Sequence, residues 1–89
     1  MFLAEIKKVK EECCKEFTKI CCENIKIVIR RKLELNPFLD EFTILCCENF
    51  PVESIDSVRT TFIEEGFVVE YYRDSGLLKK VLGITVKIN

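Results

Sequence analysis

The sequence predicts a single α+β domain, residues 1–89, in which helices cover one face of a small sheet. Apolar residues recur at helical spacing in the first third of the chain, and they alternate as in strands near the C-terminus. A second, shorter helical stripe lies between two strand-like segments. We therefore expect a long N-terminal helix and one shorter helix packed on a three- or four-stranded sheet, in the order α-β-α-β-β. The alternative order is α-β-β-α-β-β.

The first segment, residues 2–22, has the pattern of an amphipathic helix. Its apolar side chains recur at steps of three and four residues, with Lys and Glu between them: Phe2, Ile6, Val9, Cys13, Phe17 and Ile20. Residues 25–35 fit a strand, because apolar and charged residues nearly alternate, but they also continue the helical spacing without a Gly or Pro. We favour one helix to about residue 34, ended by Asn36-Pro37. A helix this long favours subunit contact through a coiled-coil-like seam.

The remaining elements follow in order along the chain. Residues 41–47 predict a strand, and a turn before residue 52 leads into a helix over about 52–65 that ends at Gly66. Residues 67–73 and 82–88 predict two strands that pair as an antiparallel hairpin. The buried stripe of the short helix is expected to be Ile55, Val58 and Phe62.

Six cysteines form three adjacent pairs in a chain without histidine: Cys13-Cys14, Cys21-Cys22 and Cys46-Cys47. Disulfides, a metal site and burial as small apolar side chains are the three interpretations. No Cys-x2-Cys spacing is present, so we expect no metal ligands and favour burial. Two series with a seven-residue repeat are then both interpreted as core-facing: Ile6, Cys13, Ile20, Ile27 and Cys14, Cys21, Val28, Leu35. Cys46 and Cys47 are expected to extend their strand.

Composition limits the possible functions. The net charge of −1 gives no case for nucleic-acid binding. Apolar residues make up 48% of the chain, which is high for a small monomer and favours a homo-oligomer. Residues 1–35 hold nine basic and six acidic side chains, against five and nine in residues 36–89. Opposite charges of this kind suit either two solvated faces or contact between subunits.

Neither a signal peptide nor a membrane span is predicted, so we expect a cytoplasmic protein without membrane contact. The chain has no histidine and no glycine-rich phosphate loop, and its paired acids are typical of a solvated surface. We therefore expect that the protein is not an enzyme, and that it has no catalytic residues and no cofactor.

One basic cluster is a candidate ligand site. Its members, Lys26, Arg30, Arg31 and Lys32, are close in sequence, and cations in this arrangement suit a phosphate group or an acidic partner. Arg73 and Tyr72 are added as candidates for a pocket between subunits, where the tyrosine would stack on a base.

Residues 55–88 resemble small phage-encoded α+β proteins of low-GC Gram-positive hosts. The resemblance rests on a helix that ends in Glu-Glu-Gly-Phe, the strand Val-Val-Glu-Tyr-Tyr, a turn with Asp74 and the closing strand Ile-Thr-Val-Lys-Ile. The terminal Trp common in such proteins is missing. Some small phage proteins block host defence by binding a host protein or by sequestering a nucleotide signal.

The leading hypothesis is a small cytosolic, non-enzymatic binding protein that acts through a protein–protein or subunit interface, as a phage accessory or anti-defence protein. The first alternative is a protein that sequesters a nucleotide signal, with a phosphate-bearing ligand bound between subunits. The second is a structural module stabilised by a metal on the paired cysteines.

Overall fold

The computed structural model describes residues 2–88, and its element order confirms α-β-α-β-β. Residues 25–35 belong to the first helix, which is therefore continuous. The elements are α1 (Phe2–Leu35), β1 (Glu41–Leu45), a short 3-10 turn (Val52–Ser54), α2 (Ile55–Glu64), β2 (Val68–Arg73) and β3 (Val81–Lys87).

The three strands form one antiparallel sheet with the order β1-β3-β2. β3 is the central strand, so the predicted hairpin of the last two strands is confirmed. Glu41 lies opposite Lys87 and Leu45 opposite Gly83, which brings β1 beside the C-terminal strand. β1 ends at Leu45, so the predicted extension to residue 47 is wrong. Cys47 has a positive φ of 68°, and its N–H donates to the carbonyl of Phe50 in a turn.

The core lies between the helices and one face of the sheet. The predicted stripe of α2 is confirmed, since Ile55, Val58 and Phe62 are all buried. α1 contributes only its second half to this core, through Cys21, Cys22, Ile25 and Ile29. The sheet contributes the side chains that alternate toward the helices: Phe42, Ile44, Val69, Ile84 and Val86.

α2 ends in a hydrogen-bonded motif that sets the direction of the chain into β2. Gly66 has a φ of 99°, a conformation that a residue without Cβ adopts at little cost. Its N–H donates to the carbonyl of Ile63, and the N–H of Phe67 donates to the carbonyl of Phe62. The rings of Phe62 and Phe67 pack edge to face, with 5.6 Å between their centroids. This is the Schellman pattern of bonds, with its usual apolar contact.

α1 is much longer than the sheet that it covers. Its 34 residues span about 51 Å at 1.5 Å per residue, and the longest dimension of the molecule is 53 Å. β3, the longest strand, has seven residues and spans about 23 Å. Residues 2–17, which we call the arm, are all exposed, and α1 extends past the rest of the domain at this end.

The position of the arm corrects the prediction that all six cysteines are core residues. Cys21, Cys22 and Cys46 are buried, as expected. Cys13 and Cys14 lie on the arm and are exposed, because the domain borders them only across open grooves. Cys47 is exposed because it lies in the turn after β1. Leu35, the last member of its predicted core series, is also exposed at the end of α1.

Candidate interaction surface

The residues predicted to bind a ligand do not come together within one chain. Lys26 donates from Nζ to Oε1 of Glu65 at 2.9 Å, next to the start of β2. Arg73 lies at the other end of β2, about 17 Å further along the strand. Arg30 and Arg31 are exposed on α1 and form no ion pair with another residue of the described chain.

Lys26 is therefore mainly a structural residue. It also lies 3.7 Å from Glu23 of its own helix. The hydrogen bond that Lys26 donates to Glu65, with the charge of that carboxylate, raises the pKa of Lys26 above its usual value. The ion pair between Lys26 and Glu65 holds α1 against the end of α2. It also joins a basic residue of segment 1–35 to an acidic residue of segment 36–89.

Tyr72 and Tyr71 point to opposite faces of β2, as expected for adjacent strand residues. Tyr72 remains exposed on the face without helices. Tyr71 lies under α2, where its hydroxyl donates to Asp56 Oδ1, and this bond raises the pKa of Tyr71. The guanidinium carbons of Arg59 and Arg73 lie 4.9 and 5.5 Å from the centroid of its ring. Contacts of this kind stabilise a fold by about 0.5–1 kcal/mol each.

The role of Arg59 was not predicted, because a single arginine on the surface of a helix carries no sequence signal. Its Nε is buried without a hydrogen-bond partner in residues 2–88. The cation–π contact with Tyr71 explains why the side chain lies against the sheet in that position. Arg59 therefore belongs to the packing of α2 on β2.

The largest unpartnered feature is a line of apolar side chains along α1, which we call the seam. Every member is exposed, and the apolar members other than cysteine have 47–77% of their surface in solvent. The seam consists of Phe2, Ile6, Val9, Cys13, Phe17, Ile20 and Ile27. It runs for about 38 Å along the helix, from the tip of the arm to a level beside the domain core.

The seam is separate from the stripe with which α1 packs on its own domain. At 100° per residue, the two stripes lie about 140° apart around the helix axis. Ile20 and Ile27 show this most clearly, because they are exposed while Cys21 and Ile25 beside them are buried. α1 thus has two apolar faces, and the domain covers one of them.

The polar residues of the arm explain why the domain does not extend over it. The face of the arm that continues the core stripe carries Lys7 and Glu11. Covering that face with further strands would bury charge, which costs several kcal/mol for each unpaired group. The apolar residues of the arm lie instead on the seam. The sequence analysis interpreted the series Ile6, Cys13, Ile20 and Ile27 as core-facing, whereas the structure leaves all four residues exposed.

Two grooves flank the middle of α1. One, of about 690 Å³, lies between α1 and α2 and has mixed charge, with Lys15, Lys19 and Glu64 among its walls. The other, of about 410 Å³, adjoins the seam. Cys13 and Phe17 form its seam side, and Pro51 with Glu53 forms its other side. The second groove therefore widens the apolar surface of the seam at its centre.

All six cysteines, which lie within residues 2–88, are free thiols. Burial raises the pKa of Cys22 and of Cys46. No group of three or more Cys, Asp or Glu side chains among residues 2–88 is placed to hold a metal ion.

Comparison of the chain with protein-family models, curated proteins and solved structures finds no match. In residues 2–88, no helix combines the length and the apolar character that crossing a bilayer requires.

Proposed function

We propose that this protein is a non-enzymatic binding protein that acts through the seam of α1, and that the seam forms a subunit interface. One observation carries the proposal. Seven apolar side chains lie on one face of a helix, in one line, and are exposed to solvent. Scattered apolar residues are normal on a protein surface, but a continuous patch of this size marks an interaction site.

The stability of the arm supports the same proposal. A helix of about 16 residues without tertiary contacts is marginally stable in water, because nucleation is costly. None of residues 2–17 is buried, so the arm receives little packing from its own domain. A partner that covers the seam would supply the burial that keeps the arm helical.

The area of the seam fits a specific interface. One chain exposes roughly 600 Å² of apolar side chain along it, at the upper end of the largest patch on a typical monomer. Two such surfaces bury roughly 1,200 Å² when they meet, which is the lower bound of a standard stable interface. The affinity that follows is moderate, and we expect a dimer with a dissociation constant of about 1–10 µM.

Analytical ultracentrifugation between about 1 and 200 µM tests the proposal. The chain of 10.4 kDa should approach twice that mass as its concentration rises. The variant Ile6→Glu/Ile20→Glu should sediment as a monomer, because it places two carboxylates on the seam of each chain. Both positions are about half exposed, so the substitutions leave the domain folded.

The matched control is Leu77→Glu/Leu78→Glu, which carries the same substitutions on the exposed loop between β2 and β3. We expect this control to associate as the unmodified chain does. An unmodified chain that stays monomeric at 200 µM would contradict the subunit interface. A seam variant that associates like the control would also contradict it.

We extend the proposal to the setting in which the protein works. The resemblance of residues 55–88 to small phage proteins supports an accessory or anti-defence role, and six free thiols suit the reducing cytoplasm of a host cell. The neighbouring genes test this part. Phage structural, lysis or early genes on both sides would support it, and housekeeping operon genes on both sides would contradict it.

A further inference from the structure

We infer that the loop between β2 and β3 is a membrane-binding site, which inserts two leucine side chains into the surface of an anionic lipid bilayer. These are Leu77 and Leu78, which we call the tip, and Lys79 and Lys80 follow them directly. The inference goes beyond the proposed function and does not rest on it, because the tip shares no residue with the seam.

The tip holds the most exposed large apolar side chains of residues 2–88. Leu77 is 103% exposed and Leu78 is 94% exposed, so neither side chain packs on the domain. They occupy the two central positions of a β-turn, in which the N–H of Lys79 donates to the carbonyl of Gly76. Such positions usually carry Pro, Gly, Asn, Asp or Ser. Leucine at both of them gains no burial within the chain, which favours a contact with another molecule.

The loop presents the tip on a hydrogen-bonded base. The N–H of Asp74 donates to the carbonyl of Lys80 at 2.8 Å, which closes the loop. Nη1 of Arg73 donates to the carbonyl of Lys79 at 3.2 Å. The guanidinium of Arg73 also lies over the ring of Tyr71, which packs under α2. The tip is therefore held on the sheet, and binding has less conformational entropy to remove than it would in a loose loop.

The charges beside the tip favour an anionic surface, although the whole chain has a net charge of −1. Residues 73–80 hold three basic side chains and one acidic side chain: Arg73, Lys79, Lys80 and Asp74. The carboxylate of Asp74 lies beside Gly76, at the start of the turn. The turn after β1, which carries Glu48, bonds to β3 within the strand and not at the loop. Two lysines next to an apolar tip reach anionic headgroups when the leucines enter the apolar layer.

The shape of the tip favours a lipid surface over a protein pocket. Two side chains on a convex turn are much smaller than the roughly 800 Å² that each partner buries in a standard protein interface. A bilayer requires no matching pocket, and the leucines can enter it while the backbone of the turn stays among the headgroups. We expected no membrane contact because no membrane span is predicted, but the insertion of a loop requires no span.

Vesicle co-sedimentation of the full chain tests the inference. Vesicles of phosphatidylcholine with about 30% phosphatidylserine provide the anionic surface, and pure phosphatidylcholine provides the neutral one. We expect half of the chain to bind at about 0.1–1 mM anionic lipid, in the range of a single weak anchor. The protein is kept below about 1 µM, where the proposed dimer dissociates, so that the single chain is measured.

Two variants separate the apolar and the electrostatic contributions. Leu77→Ser/Leu78→Ser should weaken binding to anionic vesicles about tenfold or more, because it removes the inserted side chains without a change of charge. The matched control is Leu35→Ser/Phe38→Ser, since both residues are similarly exposed, at 88% and 92%, around the end of α1. This control should bind within about threefold of the unmodified chain. Lys79→Gln/Lys80→Gln should weaken binding to anionic vesicles about fivefold for each lysine, and leave binding to neutral vesicles unchanged.

A fluorescent reporter shows whether the tip itself enters the bilayer. The chain has no tryptophan, so Leu78→Trp gives a signal from the tip alone. Its emission should shift to shorter wavelength on anionic vesicles, and lipids with brominated acyl chains should quench it. Phe38→Trp, at an equally exposed position outside the loop, should show neither effect.

Each outcome supports or overturns the inference. Binding that the serine variant loses and its control keeps, with quenching of Leu78→Trp, would support it. A full chain that does not bind anionic vesicles at about 3 mM lipid would overturn it and make a protein pocket the occupant of the tip. Equal losses in the serine variant and its control, or a bound Leu78→Trp that is not quenched, would also overturn it. Ultracentrifugation keeps the two proposals apart, because a chain that binds vesicles but never dimerises contradicts only the subunit interface.

Discussion

Gly83→Ala is expected to be the most destabilising small change in the sheet. Gly83 lies on the central strand, opposite Leu45 of β1 and Tyr72 of β2. A Cβ built on Gly83 would lie 2.9 Å from the Cα of Leu45 and 3.0 Å from the carbonyl carbon of Ile44, and it would also clash with the Ile44 carbonyl oxygen. Carbon atoms pack at about 3.5–4.0 Å, so β1 would have to move by roughly 1 Å.

The size of the effect follows from what that movement breaks. The atoms in the way belong to backbone, so no side chain can rotate to relieve the clash. Loss of two or three strand hydrogen bonds costs about 1 kcal/mol each. Loosened packing around Ile44 and Ile84, which are both buried, adds to this. We expect the free energy of unfolding to fall by about 3 kcal/mol or more, out of roughly 5–13 kcal/mol for a domain of this size.

Urea denaturation, monitored by circular dichroism, measures the change in the free energy of unfolding. The protein concentration is kept below the dissociation constant of the proposed dimer, so that only the single chain is measured. Gly76→Ala is the control, because its added Cβ would meet only the exposed side chain of Asp74, at 3.3 Å from Oδ2. That variant should stay within about 0.5 kcal/mol of the unmodified chain. A loss of less than 1 kcal/mol for Gly83→Ala would show that β1 does not pair with β3 in the described register.

Two further predictions concern the thiols and the pH. At a protein concentration well below about 1 µM, where the proposed dimer dissociates and leaves the seam accessible, the exposed thiols should react with a disulfide reagent within minutes, and the buried thiols only as the chain unfolds. The exposed set is Cys13, Cys14 and Cys47, and the buried set is Cys21, Cys22 and Cys46. Mass spectrometry of the labelled chain distinguishes the two sets, and labelling of all six at equal rates would contradict the described packing. Stability should fall as the pH rises above about 8.5, where unfolded thiols begin to ionise. Folding raises the pKa of four groups, so the folded chain binds more protons than the unfolded chain in the alkaline range. These groups are Cys22, Cys46, Tyr71 and Lys26. Urea midpoints between pH 7 and 11 measure the trend. Tyr71→Phe should make the fall above about pH 10 shallower, and a midpoint that does not change over this range would contradict the prediction.

The elements of the fold were largely predictable because they follow from local patterns. The apolar residues keep their helical spacing without a break through residues 25–35, so the sequence favoured one continuous helix. The β-branched residues of the same segment favoured a strand instead. The acidic first turn and Gly66 set the limits of α2 to within a few residues. The end of β1 was not predictable, because the two apolar cysteines after Leu45 gave no signal of the turn that they form.

The candidate site was predictable only in part. The sequence shows each seam residue and suggests subunit contact through a long helix. It also suggested a basic ligand cluster, but Lys26 pairs with Glu65, and Arg73 lies at the far end of β2. Contacts of this kind join residues that are distant in sequence, and spacing along one element does not report them.

The sequence by itself determined that α1 is a helix with two apolar stripes. Only the tertiary structure decided which stripe belongs to the domain. The reason is geometric, because periodicity fixes where side chains point around a helix but does not say what lies opposite them. A sheet of about 23 Å covers less than half of a helix of about 51 Å. The seam, with Cys13 at its centre, therefore remains exposed to solvent.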